Sequence, residues 1–569
     1  MVKIPGSSER RHKDRGLFID SLFTNRSAES ADEWLKFAEN EENLRRLVGF
    51  VHTESCRPGH EYVLAKMLYN PIRGSYNINW RLEYEDGFSV MIHVPIPNAV
   101  AFPDEKVRAE AAAMMLIREK TTIPVPKVYF WCTSSHNPTG YGPIIVMEYI
   151  KHTNYLEKVI SDGLDTERRT GAKGAPNEKL LKAYRQMANI MLQLSSIEGS
   201  AIGFPSVPKT RTDKTLGPQS RISKVRHRPI SQSTSDLILS AGLPPSVLPP
   251  INKTYNTSRE YYQAMADMHL THFTFQHNDA ALSLPDGHEA YVARQLFRKL
   301  AREGRLHKDE DDDKSTDTTQ KSEIFKLWCD DMRPTSVLLD DNDDVVGVVD
   351  WEMSYFAPAS FSYDPPWWLI IDKPEFYRKG LSSWTKDYER HLPLFLRAME
   401  MEEAELNKTM EGPHTSLHAG PALLAVDESN KQKPPPISMS KRMAQHWENG
   451  RFFVDYCARR NFGFDPIYWQ ILDKKFFGKN KTGLLLKRGR HTGRLNLLSD
   501  QERAQMTVLV KWKREHGDEE KIVEWGEKEA QALLTACLAG TLTENSIPKP
   551  RVVPWTRVDR DPPWSSLTQ

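Results

Sequence analysis

Several features that classify a protein quickly are scarce in this chain. Its 569 residues hold only five cysteines, Cys56, Cys132, Cys329, Cys457 and Cys537, which are scattered, odd in number and include no CxxC pair. That usage excludes a disulfide framework and a clustered zinc site, and it points to reduced thiols in an intracellular setting. No apolar run approaches the ~18 residues of a membrane span, and the opening MVKIPGSSERRHKDR lacks the apolar core of a secretory signal. The expectation is a cytoplasmic protein with no membrane partner. A dominant charge is missing too, because 77 Lys+Arg nearly cancel 76 Asp+Glu, which leaves no global field for nucleic acid. Neither a G-x-S-x-G elbow nor an H-E-x-x-H helix occurs, and HNDA at 277–280 has no nucleophile in a convincing turn beside it. A general hydrolase is therefore disfavoured.

The residues that are present change character along the chain. Residues 1–30 are polar and predict a flexible N-terminus. Residues 32–50 have helical spacing at Trp34, Phe37, Leu44 and Leu47. The period falls to two over 67–95 and returns to a helix over 105–120, with acids at its start and Arg118 and Lys120 at its end, as the helix dipole favours. VPKVYFWC and GPIIVMEYI read as two more strands. Residues 31–150 thus predict a small sheet carrying one helix, and 151–480 a mainly helical unit with an apolar stripe at Leu180, Tyr184, Met187, Met191 and Leu194. Segments near 205–231 and 405–440 read as flexible insertions. The first is basic and offers a place for a protein partner, a solvated loop being the simpler reading; DEDDDK at 309–314 also reads as a solvated loop. Residues 481–569 predict charged helices ending in a Pro-rich tail.

The most informative stretch is WCDDMRPTSVLLDDNDDVVGVVDWE, residues 328–352. Two apolar runs flank a turn-forming DDNDD, which predicts a hairpin. Pairing Leu339 with Val345 brings Asp350 opposite Pro334, close to Asp331. Carboxylates held together repel, so such a fold generally supplies a cation or a proton between them. Metal-assisted phosphoryl transfer uses that layout, one carboxylate orienting the attacking hydroxyl and another holding Mg²⁺. On spacing alone, an acidic surface hairpin stays open. A second hairpin lies at 71–95, turning at Asp86-Gly87. Pairing Glu85 with Phe88 puts Trp80, Leu82 and Tyr84 on one face with Ser89, Met91 and His93, as a roof for a nucleotide base. Gly74-Ser75 turns between strands ahead of it, and Glu110 sits on the next helix, where it can meet a cation from the preceding strand.

RGSYN, DEKVRAEAAAMMLIREKTTIPVPKV, GPIIVMEY, FKLWCDDMRP, GVVDWE, PPWWL, RFFVDYC and FDPIYWQILDKKFFG stand in one order along the chain. Over roughly residues 55–480 the sequence resembles the aminoglycoside phosphotransferase and choline kinase-like branch of the protein kinase-like fold, particularly its uncharacterised fungal members. The resemblance implies an α+β, two-lobed fold with an antiparallel-sheet N-lobe, a hinge near Met147 to Tyr149 and a helical C-lobe, using ATP and Mg²⁺. It implies Asp331 as catalytic base, Asp350 as Mg²⁺ ligand, Glu110 as helix glutamate, Gly74 and Ser75 over the phosphates, and backbone around Glu148 against adenine.

Three positions depart from that pattern. Cys329 replaces a histidine before the catalytic aspartate. Ser336 replaces a metal-binding asparagine, a weaker hard-cation ligand in its place. His93 replaces the strand Lys or Arg, predicting a weaker and pH-dependent phosphate clamp. Arg333 is a partial substitute that can reach the transferring phosphate, or else an exposed loop arginine. Two readings follow: a phosphotransferase acting on a small-molecule hydroxyl, or a catalytically impaired pseudokinase serving as a nucleotide-binding or interaction module. Acceptor candidates are Glu352 and SYDPPWWL at 362–369, an acidic and aromatic set suited to an amino sugar or choline-like cation, with Trp367 and Trp368 equally readable as core. Fold transmits reaction type better than acceptor, so no antibiotic is implied.

Overall fold

The structure, a computed structural model, describes residues 19–54, 62–170, 177–205, 225–308, 323–411, 438–480, 489–517 and 521–554. DEDDDK, most of the basic segment, most of 405–440 and the last residues of the chain lie outside these. The chain folds as α+β: an antiparallel sheet with flanking helices, then a mainly helical unit.

Order begins earlier than the polar N-terminus suggests. Helix α1 (Ser21–Ala38) is capped by Asp20, whose carboxylate accepts from Phe23 N, and α2 (Glu41–Glu54) follows at once. Residues 21–30 are therefore helical rather than flexible. Both helices cover the sheet formed by β1 (Ala65–Leu68), β2 (Ile72–Arg73), β3 (Asn77–Tyr84), β4 (Ser89–Pro95), β5 (Val128–Cys132) and β6 (Ile144–Glu148), in the order β1-β3-β4-β6-β5 with β2 beside β3. Helix α3 (Pro103–Lys120) connects β4 to β5, with Pro103 and two acids in its first turn and Arg118 and Lys120 in its last.

The β3–β4 register differs by one residue from the sequence expectation, and that reverses the faces. Tyr84 N donates to Phe88 O, and Leu82 pairs with Val90 and Trp80 with Ile92. The loop holds three residues instead of two, closed by Gly87 in the left-handed region (φ 82°). Trp80, Leu82 and Tyr84 thus share their face with Val90, Ile92 and Val94, not with Ser89, Met91 and His93. That face is not a nucleotide roof: it is buried with Ala38, Leu47, Val51 and Tyr141 beneath α1 and α2. Asn79 and His93 belong to the opposite face, toward the second unit.

That second unit follows from Asn154 onward. It comprises α4 (Leu156–Thr170), α5 (Glu178–Ser195), α6 (Gln232–Leu239), α7 (Ser258–Phe275), α8 (Leu284–Arg302), β7 (Phe325–Cys329), β8 (Val337–Leu339), β9 (Val345–Val348), β10 (Ser354–Pro358), α9 (Leu381–Glu411), α10 (Met439–Glu448), α11 (Arg451–Arg459), α12 (Asp500–His516) and α13 (Glu527–Ala539), with short connecting turns. The predicted stripe on α5 is buried at Leu180, Tyr184, Met187 and Leu194. Helices α12 and α13 bury Met506, Leu509, Val510, Ala530, Leu533 and Cys537 in the same core, so the C-terminal extension is built into this unit. No helix among the described residues is long and apolar enough to cross a membrane.

Candidate active site

The floor of the site is set by strand closure. β7 and β10 pair antiparallel through Cys329 and Ser354, and Asp330 N donates to Met353 O at 3.2 Å. The β8–β9 hairpin begins with the expected Leu339–Val345 pair, but a bulge then shifts the register so that Leu338 meets Gly347 and Val337 meets Val348. Val349 N donates to Ser336 O at 2.9 Å, which moves Asp350 one place along, opposite Thr335 instead of Pro334. Asp350 and Met353 both adopt left-handed backbone, with φ 66° and 62°, a costly conformation for residues with a Cβ that the surrounding pairing imposes. Three carboxylates converge as a result. One oxygen each from Asp331, Asp350 and Glu352 lies within 4.8 Å of the others. Burial, then the charges of Glu352 and Asp331, push the Asp350 carboxyl well above the usual range. The Cys329 thiol donates to Glu352 O at 3.3 Å, tying the Asp331 loop to the Asp350 loop. Asp330 stands apart, accepting from Trp328 Nε1 at 2.7 Å with Arg459 at 3.9 Å.

One wall is a buried ion network that the sequence reading only half anticipated. His93 Nε2 meets Glu110 Oε2 at 3.2 Å, as expected of the strand cation and helix glutamate, while Nδ1 faces Asn79 Oδ1 at 2.8 Å. The lysine absent from the strand stands instead on the helix. Lys106 Nζ lies 3.1 Å from Glu110 Oε2, donates to Asn77 Oδ1 at 2.7 Å and pairs closely with Glu352. Asn77 Nδ2 donates to the same Glu352 oxygen at 3.0 Å. Lys106, Glu110 and Glu352 are each 1% exposed. Burial pulls the lysine down, but Glu110 and Glu352 outweigh it and hold it above its ordinary value. Burial also raises Glu110, yet His93 and Lys106 bring it down to about 2.

The remaining predicted positions divide. Arg333 Nη2 reaches Asp331 Oδ2 at 3.5 Å. Ser336 is 2% exposed, and its Oγ is buried without a hydrogen-bond partner. Gly74 and Ser75 form an exposed tight turn closed by Gly74 N to Asn77 O at 2.8 Å. Glu148 sits inside the sheet, its N–H donating to Lys127 O at 2.8 Å and its carboxylate accepting from Lys127 N at 3.1 Å; its amide is therefore not free for a base edge. The acceptor candidates are split: Ser362, Asp364, Pro365, Pro366, Trp367 and Trp368 line one cavity, of which Glu352 is not part, and both acids are paired. Glu352 is neutralised by Lys106, and Asp364 accepts from His446 at 2.9 Å and Arg459 at 3.0 Å. Trp368 is core and Trp367 packs against it.

Near Asp331 stand further residues that no sequence signal singled out. The phenol of Tyr76 is pushed up by burial, then by the charges of Asp236 and Asp331. Gln232 Nε2 donates to Tyr76 Oη at 3.4 Å. Arg460 donates to Gln232 Oε1 and, at 2.6 Å, to Asp330 O. Lys373 Nζ donates to Gln232 Oε1 at 3.4 Å and lies 5.3 Å over the Trp367 ring. Asp236, on α6 with Gln232, is raised to about 7 by burial despite Lys373 and Arg460.

No family model matches the chain, and no curated protein matches it in sequence. Among solved structures, the chain is similar to a Plasmodium vivax ethanolamine kinase, with 12% identity, 84% of this chain and 95% of that one covered, and a TM-score of 0.34. It is similar also to a Ralstonia eutropha protein assigned as an aminoglycoside phosphotransferase, at 13% identity over 66% and 91% of the two chains with a TM-score of 0.32. A third is an aminoglycoside phosphotransferase solved in ternary complex with AMP-PNP and hygromycin B, at 12% identity over 61% and 90% with a TM-score of 0.29.

Proposed function

We propose that the chain is an ATP- and Mg²⁺-dependent phosphotransferase, of the aminoglycoside phosphotransferase and choline kinase-like kind, acting on the hydroxyl of a small molecule. The observation that carries this reading is the meeting of Asp331, Asp350 and Glu352 within 4.8 Å, beside the His93–Glu110–Lys106 network. The donor set suits the metal, because these are hard carboxylate oxygens and the buried Ser336 hydroxyl, in the turn after Asp331, has no hydrogen-bond partner. Asp350 and Ser336 would hold the cation, which supplies charge neutralisation at the nucleotide phosphates. Asp331 takes the proton of the acceptor hydroxyl. That oxygen forms the new bond to the γ-phosphorus as the bond to the β,γ-bridging oxygen breaks and ADP leaves. Arg333, 3.5 Å from Asp331, offsets charge on the moving phosphoryl group. Gly74 and Ser75 overhang the phosphates, and backbone beyond Glu148 takes the base.

A second reading is favoured by one feature. Lys106 is locked between two carboxylates, and His93 holds the strand position, so no strand lysine reaches for phosphate. On that reading the chain binds nucleotide without transferring phosphoryl.

Thermal midpoints with ATP alone and with ATP plus Mg²⁺ decide between a working and an absent nucleotide site. Ligand at ~100 times its dissociation constant adds about 2.7 kcal/mol, and the Mg²⁺-dependent part is expected to vanish in Asp350→Asn. Once an acceptor is found, Asp331→Asn is expected to slow ADP release by ~10²–10⁴-fold at an unchanged midpoint; an unslowed variant removes Asp331 from the mechanism.

A further inference from the structure

Seven arginines are buried among the described residues. Six hold a carboxylate within 3.0 Å: Arg228 with Glu105, Arg294 with Asp465, Arg298 with Asp267, Arg451 with Asp455, Arg459 with Asp364 and Arg494 with Asp473. That is what burial of a guanidinium demands, since desolvation is offset only by a close counter-charge. Arg460 is the exception. It is 5% exposed, forms no ion pair, spends its donors on a backbone carbonyl and a neutral amide, and leaves its buried Nε without a partner.

A second cation shares its position. Lys373 has no ion pair either, and it leans on the same Gln232 oxygen as Arg460. After burial, the charge that most depresses Lys373 is Arg460 itself, while Asp331, Glu375 and Asp236 act in the other direction. Glu375 accepts from the Tyr456 hydroxyl at 2.7 Å, and Asp236 is half-buried with its carboxyl raised toward the neutral form. Two cations thus stand together on the acceptor side of Asp331 with no carboxylate in contact. Arg460 is buried and Lys373 half-buried; Asp330, with Glu375 and Asp331, offsets the burial of Arg460 from beyond contact, and the place for a contacting anion beside the two cations is not taken by a carboxylate of the described residues.

We infer that Arg460 and Lys373 form a seat for an anionic group, a carboxylate or a phosphate, on the molecule whose hydroxyl faces Asp331. This rests on the phosphotransferase reading and specifies its acceptor as an anionic alcohol rather than an amino sugar or a choline-like cation. Gln232 orients both cations through one oxygen, and Lys373 presents its ammonium from the half-buried side, where a ligand enters. Arg460, anchored to the carbonyl beside Asp331, sets the distance between the anion and the reacting hydroxyl.

The experiment titrates the full chain, without nucleotide, with four small alcohols that differ mainly in charge: glycerate, glycerol 3-phosphate, glycerol and 2-amino-1,3-propanediol. Tryptophan fluorescence reports on Trp367 beside Lys373, and the thermal midpoint gives a second readout. At least one anion is expected to saturate, with its affinity about tenfold or more weaker in Lys373→Gln and lost in Lys373→Glu, while the neutral and cationic alcohols give no change. The preferred anion separates carboxylate from phosphate. Binding of the amino alcohol instead, saturation by neither anion, or equal anion affinity in wild type and Lys373→Gln overturns the seat. The ATP·Mg²⁺ titration runs in parallel: anion binding without any nucleotide shift retains the seat and sinks the phosphotransferase reading, whereas a nucleotide shift with no anion binding does the reverse.

Discussion

Two clusters of buried and half-buried cations lie near Asp331, and they are built on opposite plans. On the helix α3 side, Lys106 is enclosed by Glu110, Glu352 and Asn77, with every charge answered inside the protein. On the α6 side, Arg460 and Lys373 share a neutral amide and touch no carboxylate, their charges being met only at longer range by Asp330, Glu375, Asp331 and Asp236. The first plan makes a rigid wall, because removing any member strands a charge in a dry interior. The second leaves room for a ligand, because no carboxylate of the protein occupies the contact position beside its two cations. Proximity to Asp331 does not separate the two; the completeness of pairing by contacting carboxylates does.

The sharpest way to break the comparison is to neutralise each side in turn. Lys106→Met strands Glu110 and Glu352, and urea unfolding is expected to show a loss of ~3–5 kcal/mol. A loss under ~1 kcal/mol would mean that the wall is not closed by this lysine.

Next in size is the acid response of the closed side. Glu110 is held at about 2 in the fold against 4.5 otherwise, so its contribution is fully present above pH 4.5 and is lost as pH falls through about 2. Over that window the network is expected to lose about 3 kcal/mol. Midpoints measured from pH 5 to pH 2 should fall more steeply in wild type than in Glu110→Gln, and parallel curves would remove Glu110 from the network.

The smallest effect belongs to the open side. Lys373→Met is expected to leave stability within ~1 kcal/mol of wild type or to raise it, since a cation with no contacting carboxylate is exchanged for an apolar chain of similar length. The sign also follows from linkage. Burial depresses Lys373, so its contribution is present above pH 10.5 and declines as pH falls toward its folded value; the variant should lose that slope. A loss of several kcal/mol would show that Lys373 is already paired in solution, and the two sides would no longer differ.

Much of the closed side was legible in the sequence. Alternation and turn residues foretold both hairpins, the spacing of Asp331 and Asp350 foretold their approach, and the meeting of His93 with Glu110 followed from strand and helix order. Lys106 was within reach as well, because it lies four residues before Glu110 and so on the same helix face; what hid it was the expectation that the cation would come from the strand. The one-residue register error at Tyr84–Phe88 had a larger consequence. It exchanged the faces of β3 and β4, turning an expected nucleotide roof into the core under α1 and α2.

Sequence by itself determined what depends on neighbours along the chain: helical and strand periods, the Gly87 and DDNDD turns, the first-turn acids of α3, and the local convergence of two aspartates across one hairpin. Only the tertiary structure decided which charges are answered. Lys106 meets Glu352 across 246 positions of chain, and Gln232, Lys373 and Arg460 assemble from three separate elements. Pairing of this kind is set by burial and distance, two quantities that no local pattern encodes.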